Sequence, residues 1–169
     1  MRPYQRFLRK WITTNLHQVT RDNFADVAEL SLHEHQQEHA ATTLYAIAQA
    51  SFHPNYHCRA IVDKDGVVGF LMYAAPGADD APGDYAIYQL MVDRRHQGRG
   101  HGRRAVELAL AEIRKHADLQ RIWTSYRPDN VVARELYAGF GFAEAGVEDD
   151  GDMYAVLEQN NPHTFAQVC

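Results

Sequence analysis

A glycine-rich loop between an apolar run and an amphipathic run constrains this chain more than any other feature. Residues 85–92 are β-favouring and mostly apolar, long enough for one buried strand that ends at Asp93. Further along, apolar residues recur at helical spacing, at Val106, Ala109, Leu110 and Ile113. The loop between them reads Gln97-Gly98-Arg99-Gly100-His101-Gly102. The sequence therefore predicts a strand, a glycine loop and a helix in direct succession.

This succession is typical of a site that binds phosphate. Glycines at alternate positions allow a tight turn and leave nothing between the backbone N–H groups and a ligand. The first N–H groups of the following helix have no partners within the helix, and its dipole favours an anion there. Arg99, Arg103 and Arg104 strengthen the prediction of a phosphate cradle.

The loop alone leaves several interpretations open. A P-loop is excluded because Gly-x-x-x-x-Gly-Lys-[Ser/Thr] is absent from the sequence. Gly100-x-Gly102-x-x-Ala105 satisfies the loose dinucleotide fingerprint, but it stands past the middle of a short chain, whereas a dinucleotide fold places this loop after its first strand. A glycine-rich turn that only reverses the chain is the third interpretation.

Composition narrows the class of protein. A chain of 169 residues, 46% hydrophobic and 23% charged, suits one globular domain with its own core. A net charge of −5 argues against a nucleic-acid partner and is compatible with a cationic substrate. Cys58 and Cys169 are too few for a disulfide framework, which favours a cytoplasmic location. The basic segment 1–11 has no long apolar run behind it, so neither a signal peptide nor a membrane partner is expected.

The other elements follow from periodicity and turn residues. Residues 12–19 are predicted as a first strand, 20–23 as a helix N-cap, and 33–39 and 40–50 as one helical region. Residues 57–62 and 67–75 form a predicted hairpin around Gly66. Strands at 121–126, 142–147 and 153–157, and a helix after Pro128, complete the order β-α-α-β-β-β-α-β-α-β-β. This order predicts an α+β fold on a mixed sheet.

Two histidines raise the question of a metal. His35 and His39 are four residues apart, so an α-helix would place both imidazoles on one face at ligand spacing. No His-Glu-x-x-His is present and the sequence offers no third ligand. We therefore expect no metal site.

Two motifs in order resemble those of a known family. Gln97-x-x-Gly100-x-Gly102, after a strand ending in Val-Asp, resembles the acetyl-coenzyme A pyrophosphate loop of the GNAT superfamily of N-acetyltransferases. Residues 125–142 are similar to the superfamily's second motif, N-x-x-A-x-x-x-Y-x-x-x-G-F. Residues 88–93 and 125–130 look most like the bacterial spermine/spermidine (diamine) acetyltransferases.

The resemblance implies a GNAT-type fold, with helices on both faces of a mixed central sheet. The domain would span residues 13–157, with 1–12 a lead-in and 158–169 a tail. The implied activity is direct transfer of an acetyl group from acetyl-coenzyme A to a primary amine in a ternary complex, by a homodimer. A polyamine such as spermidine or spermine is the expected acceptor. An aminoglycoside-like antibiotic, an amino acid or a protein N-terminus remains an alternative, as does a non-catalytic acyl-coenzyme A-binding module.

The resemblance also suggests roles for individual residues. Tyr137 matches the motif tyrosine that would protonate the leaving sulfur; the alternative is that it is simply a core aromatic. Asn130 and Ala133 match positions beside the pantetheine arm, and Asn130 could also cap a helix. A backbone N–H near Met91 or Val92 would hold the thioester carbonyl. The pyrophosphate would be held by the loop residues Gln97, Gly98, Arg99, Gly100, His101, Gly102 and Arg103.

The acceptor side is less defined. By resemblance, the helices between the first two strands border the acceptor groove, which makes Glu29, Glu34 and Glu38 candidates to receive a cationic amine, with Gln89 on the central strand. Three aspartates in the loop 76–84 could attract a polyamine or could simply be solvated. The base that deprotonates the amine is left open among Glu34, Glu38, a tyrosine of the central strand and a water chain.

Overall fold

The computed structural model describes residues 13–159, in which a single seven-stranded sheet carries four α-helices. The predicted lead-in 1–12 and all but the first two residues of the tail lie outside the described residues. The strands are β1 Asn15–Gln18, β2 Tyr56–Asp63, β3 Gly66–Ala74, β4 Asp84–Val92, β5 Arg121–Tyr126, β6 Ala143–Val147 and β7 Met153–Glu158. The α-helices are α1 Phe24–Ala28, α2 Thr43–Ala50, α3 His101–Ile113 and α4 Val131–Ala138, and a 3₁₀ helix covers Glu34–His39.

The strand order is β1-β2-β3-β4-β5-β7-β6. Strands β1 to β4 pair antiparallel. Strands β4 and β5 pair parallel and are connected by α3, and β7 pairs antiparallel with both β5 and β6. The predicted element order and the mixed sheet are therefore confirmed.

Each face of the sheet has its own core because side chains alternate along a strand. Ile61, Leu71 and Tyr73 face α3, where Val106 and Ile113 are fully buried against them. The opposite core joins Val27 of α1 and Ala46 of α2 to the sheet residues Ala60, Phe70, Met72 and Met91. Helices therefore cover both faces, as predicted.

A β-bulge interrupts β4. Met72 pairs with Gln89 and Tyr73 pairs with Ile87, so Tyr88 has no partner on β3. One extra residue exchanges the two faces of the strand beyond it. Ile87 consequently packs in the α3 core, whereas Met91 packs in the α1 and α2 core.

The parallel pair β4 and β5 separates part-way along its length. Its register runs from Asp84 opposite Arg121 to Ile87 opposite Thr124, and no further pair is formed in the described chain. Because β4 continues to Val92 and β5 to Tyr126, the two strands leave an opening between their carboxyl ends. This opening positions the candidate site.

The segment between α1 and α2 differs from the prediction. The helical region expected over 33–50 is divided: the 3₁₀ helix ends at His39, Ala40 is extended, and α2 begins only at Thr43. Thr42 caps α2 by accepting a hydrogen bond from the Tyr45 N–H at 3.2 Å, which stabilises the start of that helix.

The break also corrects the expected positions of two histidines. A 3₁₀ helix repeats every three residues, so His35 and His39 do not share a face as they would on an α-helix. Among residues 13–159, no group of three or more His, Cys, Asp or Glu side chains could hold a metal ion. In the same range, no helix is long and apolar enough to cross a membrane.

The start of the chain also departs from expectation. β1 covers only 15–18 of the strand expected over 12–19, and residue 12 lies outside the described residues. The Asn23 side chain does not cap α1; its Oδ1 instead accepts the Thr20 N–H at 2.8 Å.

The buried carboxylate of Asp93 anchors the end of β4. It accepts the backbone N–H groups of Ser31 and Arg95 at 3.0 Å each and the Arg95 Nε at 2.7 Å. Burial alone would raise the Asp93 pKa, but these hydrogen bonds outweigh it and lower the pKa to about 2. Asp93 thus fixes the loop before the 3₁₀ helix against the start of the glycine loop.

We expect Asp93→Asn to lower the free energy of unfolding by about 2 kcal/mol near neutral pH, because it weakens several charge-assisted hydrogen bonds. The folded pKa of about 2 lies below the ordinary value of 3.8, so this stabilisation is present above about pH 4 and is lost as the pH falls toward about 2. Urea unfolding at a series of pH values measures it. Asp22→Asn, an exposed change, is the control, and a difference from wild type that does not shrink in acid would contradict the assignment.

Candidate active site

The opening between β4 and β5 contains three connected clefts. The first, here called the loop cleft, has a volume of about 460 Å³. Its floor is the end of β4, and its walls are the glycine loop, the 3₁₀ helix and one side of α4. The chief lining residues are Leu90, Met91, Val92, Gln97, Gly98, Gly100, Gly102, Arg103, Asn130 and Ala133. Most of the predicted cofactor residues therefore meet in one place.

The glycine loop has the geometry of an anion cradle. Gly98 and Gly100 have φ angles of +71° and +88°, which side chains with a Cβ rarely adopt. Gly100 is the N-cap of α3 and no side chain caps that terminus, so the first N–H groups of the helix stay open to a ligand. Gly102 is different, since a Cβ there would meet only Val92 at an ordinary 3.6 Å.

The arginines of the loop divide into two kinds. Arg103 lines the loop cleft and lies 4.9 Å from the ring centre of Phe140. Arg104 pairs with Glu107 at 2.7 Å, and Arg99 donates to the Arg95 carbonyl at 2.9 Å. Neither Arg99 nor Arg104 lines the cleft. Arg103 is therefore the loop arginine best placed to assist an anion.

The side chains of Gln97 and His101 hold the glycine loop in place through hydrogen bonds to neighbouring segments. Gln97 exchanges amide hydrogen bonds with Gln36 of the 3₁₀ helix at 2.9 and 3.2 Å, and donates to the Val92 carbonyl at 3.0 Å. The buried His101 ring has Nδ1 2.9 Å from Thr14 Oγ1, and burial lowers the His101 pKa. The side chains of Gln97 and His101 are therefore engaged within the protein, and their backbone groups remain for a ligand in the cleft.

The register of β4 decides which of its N–H groups face the opening. The Asp93 N–H donates to the Val68 carbonyl on β3 at 2.9 Å. Backbone groups alternate in direction along a strand, so the Met91 N–H also points toward β3. The N–H groups of Leu90 and Val92 point toward the opening. Of the two expected positions, Val92 is the one with this orientation, and Leu90 joins it.

The second cleft, here called the central cleft, has a volume of about 310 Å³ and adjoins the first. Both clefts share six residues at their junction: His39, Ala40, Leu90, Asn130, Ala133 and Leu136. The Asn130 Oδ1 accepts the Ala133 N–H at 3.1 Å and caps α4. Asn130 therefore caps the helix, which was one of its two expected roles, and it also lines the clefts.

Tyr137 lies at the inner end of the central cleft. Its side chain is 4% exposed, stacks on Tyr126 at 6.0 Å and meets the edge of Phe142 at 5.3 Å. Burial raises the pKa of Tyr137 to about 12. A tyrosine that keeps its proton at neutral pH can donate it to a departing anion but cannot serve as a base.

The third cleft, here called the outer cleft, has a volume of about 290 Å³ and continues from the central one past Tyr88. Aromatic and acidic residues line it, among them Tyr88, Trp123, Tyr154, Asp80, Asp84 and Glu148. Asp84 forms an ion pair with Arg121 Nε at 2.7 Å and accepts a hydrogen bond from Trp123 Nε1 at 3.2 Å. Burial and the neighbours Asp150, Asp152 and Asp149 raise the Glu148 pKa, a sign of crowded negative charge.

Only some of the residues expected to bind the acceptor line a cleft. Glu38 lines the central cleft, whereas Glu29 and Glu34 are exposed and line none of the three clefts. Gln89 is buried in the central cleft, where its Nε2 donates to the Ala41 carbonyl at 2.6 Å. This bond ties the segment before α2 to β4 and uses one of the two N–H donors of the Gln89 amide.

Sequence reasoning gave no specific role to three residues that the fold brings to the clefts. Glu148 lies in a turn with four acids, and Tyr88 was included only as one of the tyrosines of the central strand. His39 was considered only as a metal ligand. The bulge that turns Tyr88 outward and the break that ends the 3₁₀ helix at His39 are not visible as sequence patterns.

Comparison with known proteins adds independent findings. The sequence model of the Acetyltransferase (GNAT) family matches residues 22–142. A spermine/spermidine N(1)-acetyltransferase of Bacillus subtilis is 26% identical over 151 residues, covering 87% of this chain and 99% of that protein.

Solved structures agree on the fold. Spermidine N-acetyltransferase from Vibrio cholerae, crystallised with coenzyme A and spermine, superposes with a TM-score of 0.70 at 16% identity, over 86% of this chain and 95% of that one. An aminoglycoside acetyltransferase crystallised with coenzyme A and kanamycin superposes with a TM-score of 0.72 at 17% identity, over 87% and 95%. Identities this low establish a shared fold and leave the acceptor open.

Proposed function

Because this chain belongs to the GNAT family of acetyltransferases and uses acetyl-coenzyme A as its co-substrate, we propose that it acetylates a primary amine of a polyamine such as spermidine or spermine. Transfer would occur directly, with donor and acceptor bound together. The observation that carries the proposal is the continuity of a phosphate cradle, a buried tyrosine and an acidic aromatic cleft along one opening.

The residues of the loop cleft fit coenzyme A. Its pyrophosphate is a dianion, and the open N–H groups at Gly98, Gly100 and the α3 N-terminus, with Arg103 beside them, are suited to hold it. Its pantetheine arm is an extended amide chain, for which β4 offers the N–H groups of Leu90 and Val92. The acetyl thioester supplies the group that is transferred.

Two requirements of acyl transfer have candidate groups along the clefts. The carbonyl must be polarised as it becomes tetrahedral, and the backbone N–H of Leu90 or Val92 can donate to it. The sulfur must leave, and Tyr137 is protonated and lies next to the junction of the clefts. Asn130 and Ala133 line both the loop cleft and the central cleft at their junction.

The charge of the outer and central clefts supports a cationic acceptor. Glu148 and Glu38 form no hydrogen bond or ion pair with another side chain of residues 13–159. Clustered carboxylates repel one another, and a bound ammonium would relieve that repulsion. Tyr88, Trp123 and Tyr154 add aromatic faces, which also attract cations. A polyamine presents several ammonium groups on one flexible chain and so matches this lining.

An aminoglycoside is the second candidate acceptor, because it too carries several ammonium groups and the structure superposes on an aminoglycoside acetyltransferase. A panel of amines separates the two. Release of free thiol from acetyl-coenzyme A should be saturable with spermidine and spermine, weaker with putrescine, and absent with single amino acids. Turnover confined to aminoglycosides would reject the polyamine proposal, and cofactor binding without any turnover would favour a non-catalytic module.

Removing a carboxylate tests how the acceptor is recognised. We expect Glu148→Gln to raise the KM for spermidine about three- to fivefold with little change in kcat, because a partly exposed charge pair contributes modestly. Glu34→Gln is the matched control, since it is the same substitution at an exposed residue that lies outside the clefts. Equal effects of the two changes would show that overall negative charge, and not the outer cleft, attracts the amine.

The proposal includes a cytoplasmic homodimer. The two cysteines of the chain, one of them the free thiol Cys58, suit a reducing compartment. The surface around α2 exposes Leu44, Tyr45 and Phe52, the last with 82% of its surface accessible, and these residues supply apolar area for a second copy. Light scattering on the purified protein measures the assembly.

A further inference from the structure

His39 stands where the loop cleft meets the central cleft. It is the last residue of the 3₁₀ helix and lines both clefts. Its Nε2 lies 3.6 Å from Asp129 Oδ1, across the opening on the loop before α4. The imidazole is about one-fifth exposed, so it can meet both a bound ligand and solvent.

We propose that His39 accepts the proton that the acceptor amine must lose, with Asp129 as its positioning residue. The inference rests on the proposed acetyltransferase function and deepens it, because that function requires a base and the junction is the place where the amine and the thioester meet. Imidazole changes charge near neutral pH, which suits a group that alternately takes and releases a proton. The Asp129 carboxylate stabilises the imidazolium once it forms.

The proposed step balances as follows. His39 takes one proton from the ammonium group and leaves a neutral amine with a free electron pair. That pair forms the carbon–nitrogen bond, and the carbon–sulfur bond breaks with its electron pair on sulfur. Tyr137 gives its proton to the sulfur and regains one from the acetylated nitrogen. His39 then releases its proton to water, so the net products are an amide, a thiol and one proton.

Other charged groups near the junction set the conditions for this proton transfer. They are Glu38, Arg127 and Asp152 along the central cleft and His96 and Arg103 along the loop cleft. Arg127 Nε lies 3.7 Å from Asp152 Oδ1, so that pair largely cancels its own charge. Tyr137 holds its proton and cannot replace His39 as the base.

Kinetics of His39→Gln test the inference. We expect kcat to fall about 10²-fold and the acidic limb of the kcat pH profile to disappear, with acetyl-coenzyme A binding within about twofold of wild type. His35→Gln is the matched control, because His35 lies on the same 3₁₀ helix and lines none of the three clefts. In His39→Ala, added imidazole should restore part of the rate, which a purely structural role would not allow. Asp129→Asn should lower kcat roughly three- to fivefold, since its carboxylate is mostly exposed.

A binding measurement tests the location without turnover. The NMR signals of the His39 ring, identified by their loss in His39→Gln, should move when coenzyme A is added, whereas those of His35 should not. Unmoved His39 signals, or wild-type turnover and pH dependence in His39→Gln, would overturn the inference while leaving the proposed function intact. Wild-type protein that acetylates no amine would reject both.

Discussion

Replacing Tyr137 by phenylalanine should lower kcat about 10²- to 10⁴-fold while the affinity for acetyl-coenzyme A stays within about twofold. The change removes a single hydroxyl from a side chain that is 4% exposed, stacks on Tyr126 and meets the edge of Phe142, so the packing is retained. Its pKa of about 12 means that the lost group is a protonated one. The expected loss is therefore that of a general acid. Steady-state kinetics and calorimetric titration with acetyl-coenzyme A measure the two quantities.

A second buried tyrosine provides the control for this variant. Tyr73 is 3% exposed, and burial raises its pKa to about 12 as well, but it lies against Arg59 and Glu112 and lines none of the three clefts. Tyr73→Phe should therefore cost stability and leave kcat close to wild type. Retention of normal turnover by Tyr137→Phe would leave Tyr137 with a packing role alone.

Replacing Gly100 by valine should weaken acetyl-coenzyme A binding about 10- to 100-fold. The φ of +88° at Gly100 strains a β-branched residue, and the added side chain would stand at the N-terminus of α3, where the open N–H groups are expected to hold the pyrophosphate. Loss of hydrogen bonds to a charged group accounts for an effect of this size. Titration with coenzyme A measures it directly.

Gly151→Val separates the loss of binding from backbone strain. Gly151 has a similar φ of +92°, and a Cβ there would meet no atom within 4 Å, but it lies in the turn between β6 and β7. It should share the loss of stability and keep coenzyme A affinity. If both variants bind coenzyme A as wild type does, the glycine loop does not hold the pyrophosphate.

The parts of the fold that could be predicted from sequence are those with strong local signals. The buried strand 84–92, the glycine loop and α3 follow from apolar periodicity and from glycines at fixed positions. The family was evident from two motifs whose spacing survives low overall identity. The same motifs named the residues of the loop cleft, since a phosphate cradle is built from consecutive residues.

Other parts depend on interactions between distant segments. The 3₁₀ helix and the break that follows it contact distant segments: Gln36 pairs with Gln97, and the Ala41 carbonyl accepts from Gln89, across about 50 to 60 residues of sequence. The position of Glu38 in the central cleft, unlike that of Glu34, depends on which way that short helix turns. The outer and central clefts combine separate loops, so no single stretch of sequence contains their pattern.

The bulge at Tyr88 divides the central strand into two parts that line different clefts. The five residues before and at the bulge, 84–88, line the outer cleft, whereas 90–92 line the loop cleft. On the proposed function, the first half and the loops that meet it would contact the acceptor, and the second half would hold the acyl donor. One strand would then separate the recognition of the acceptor from the binding of the acyl donor.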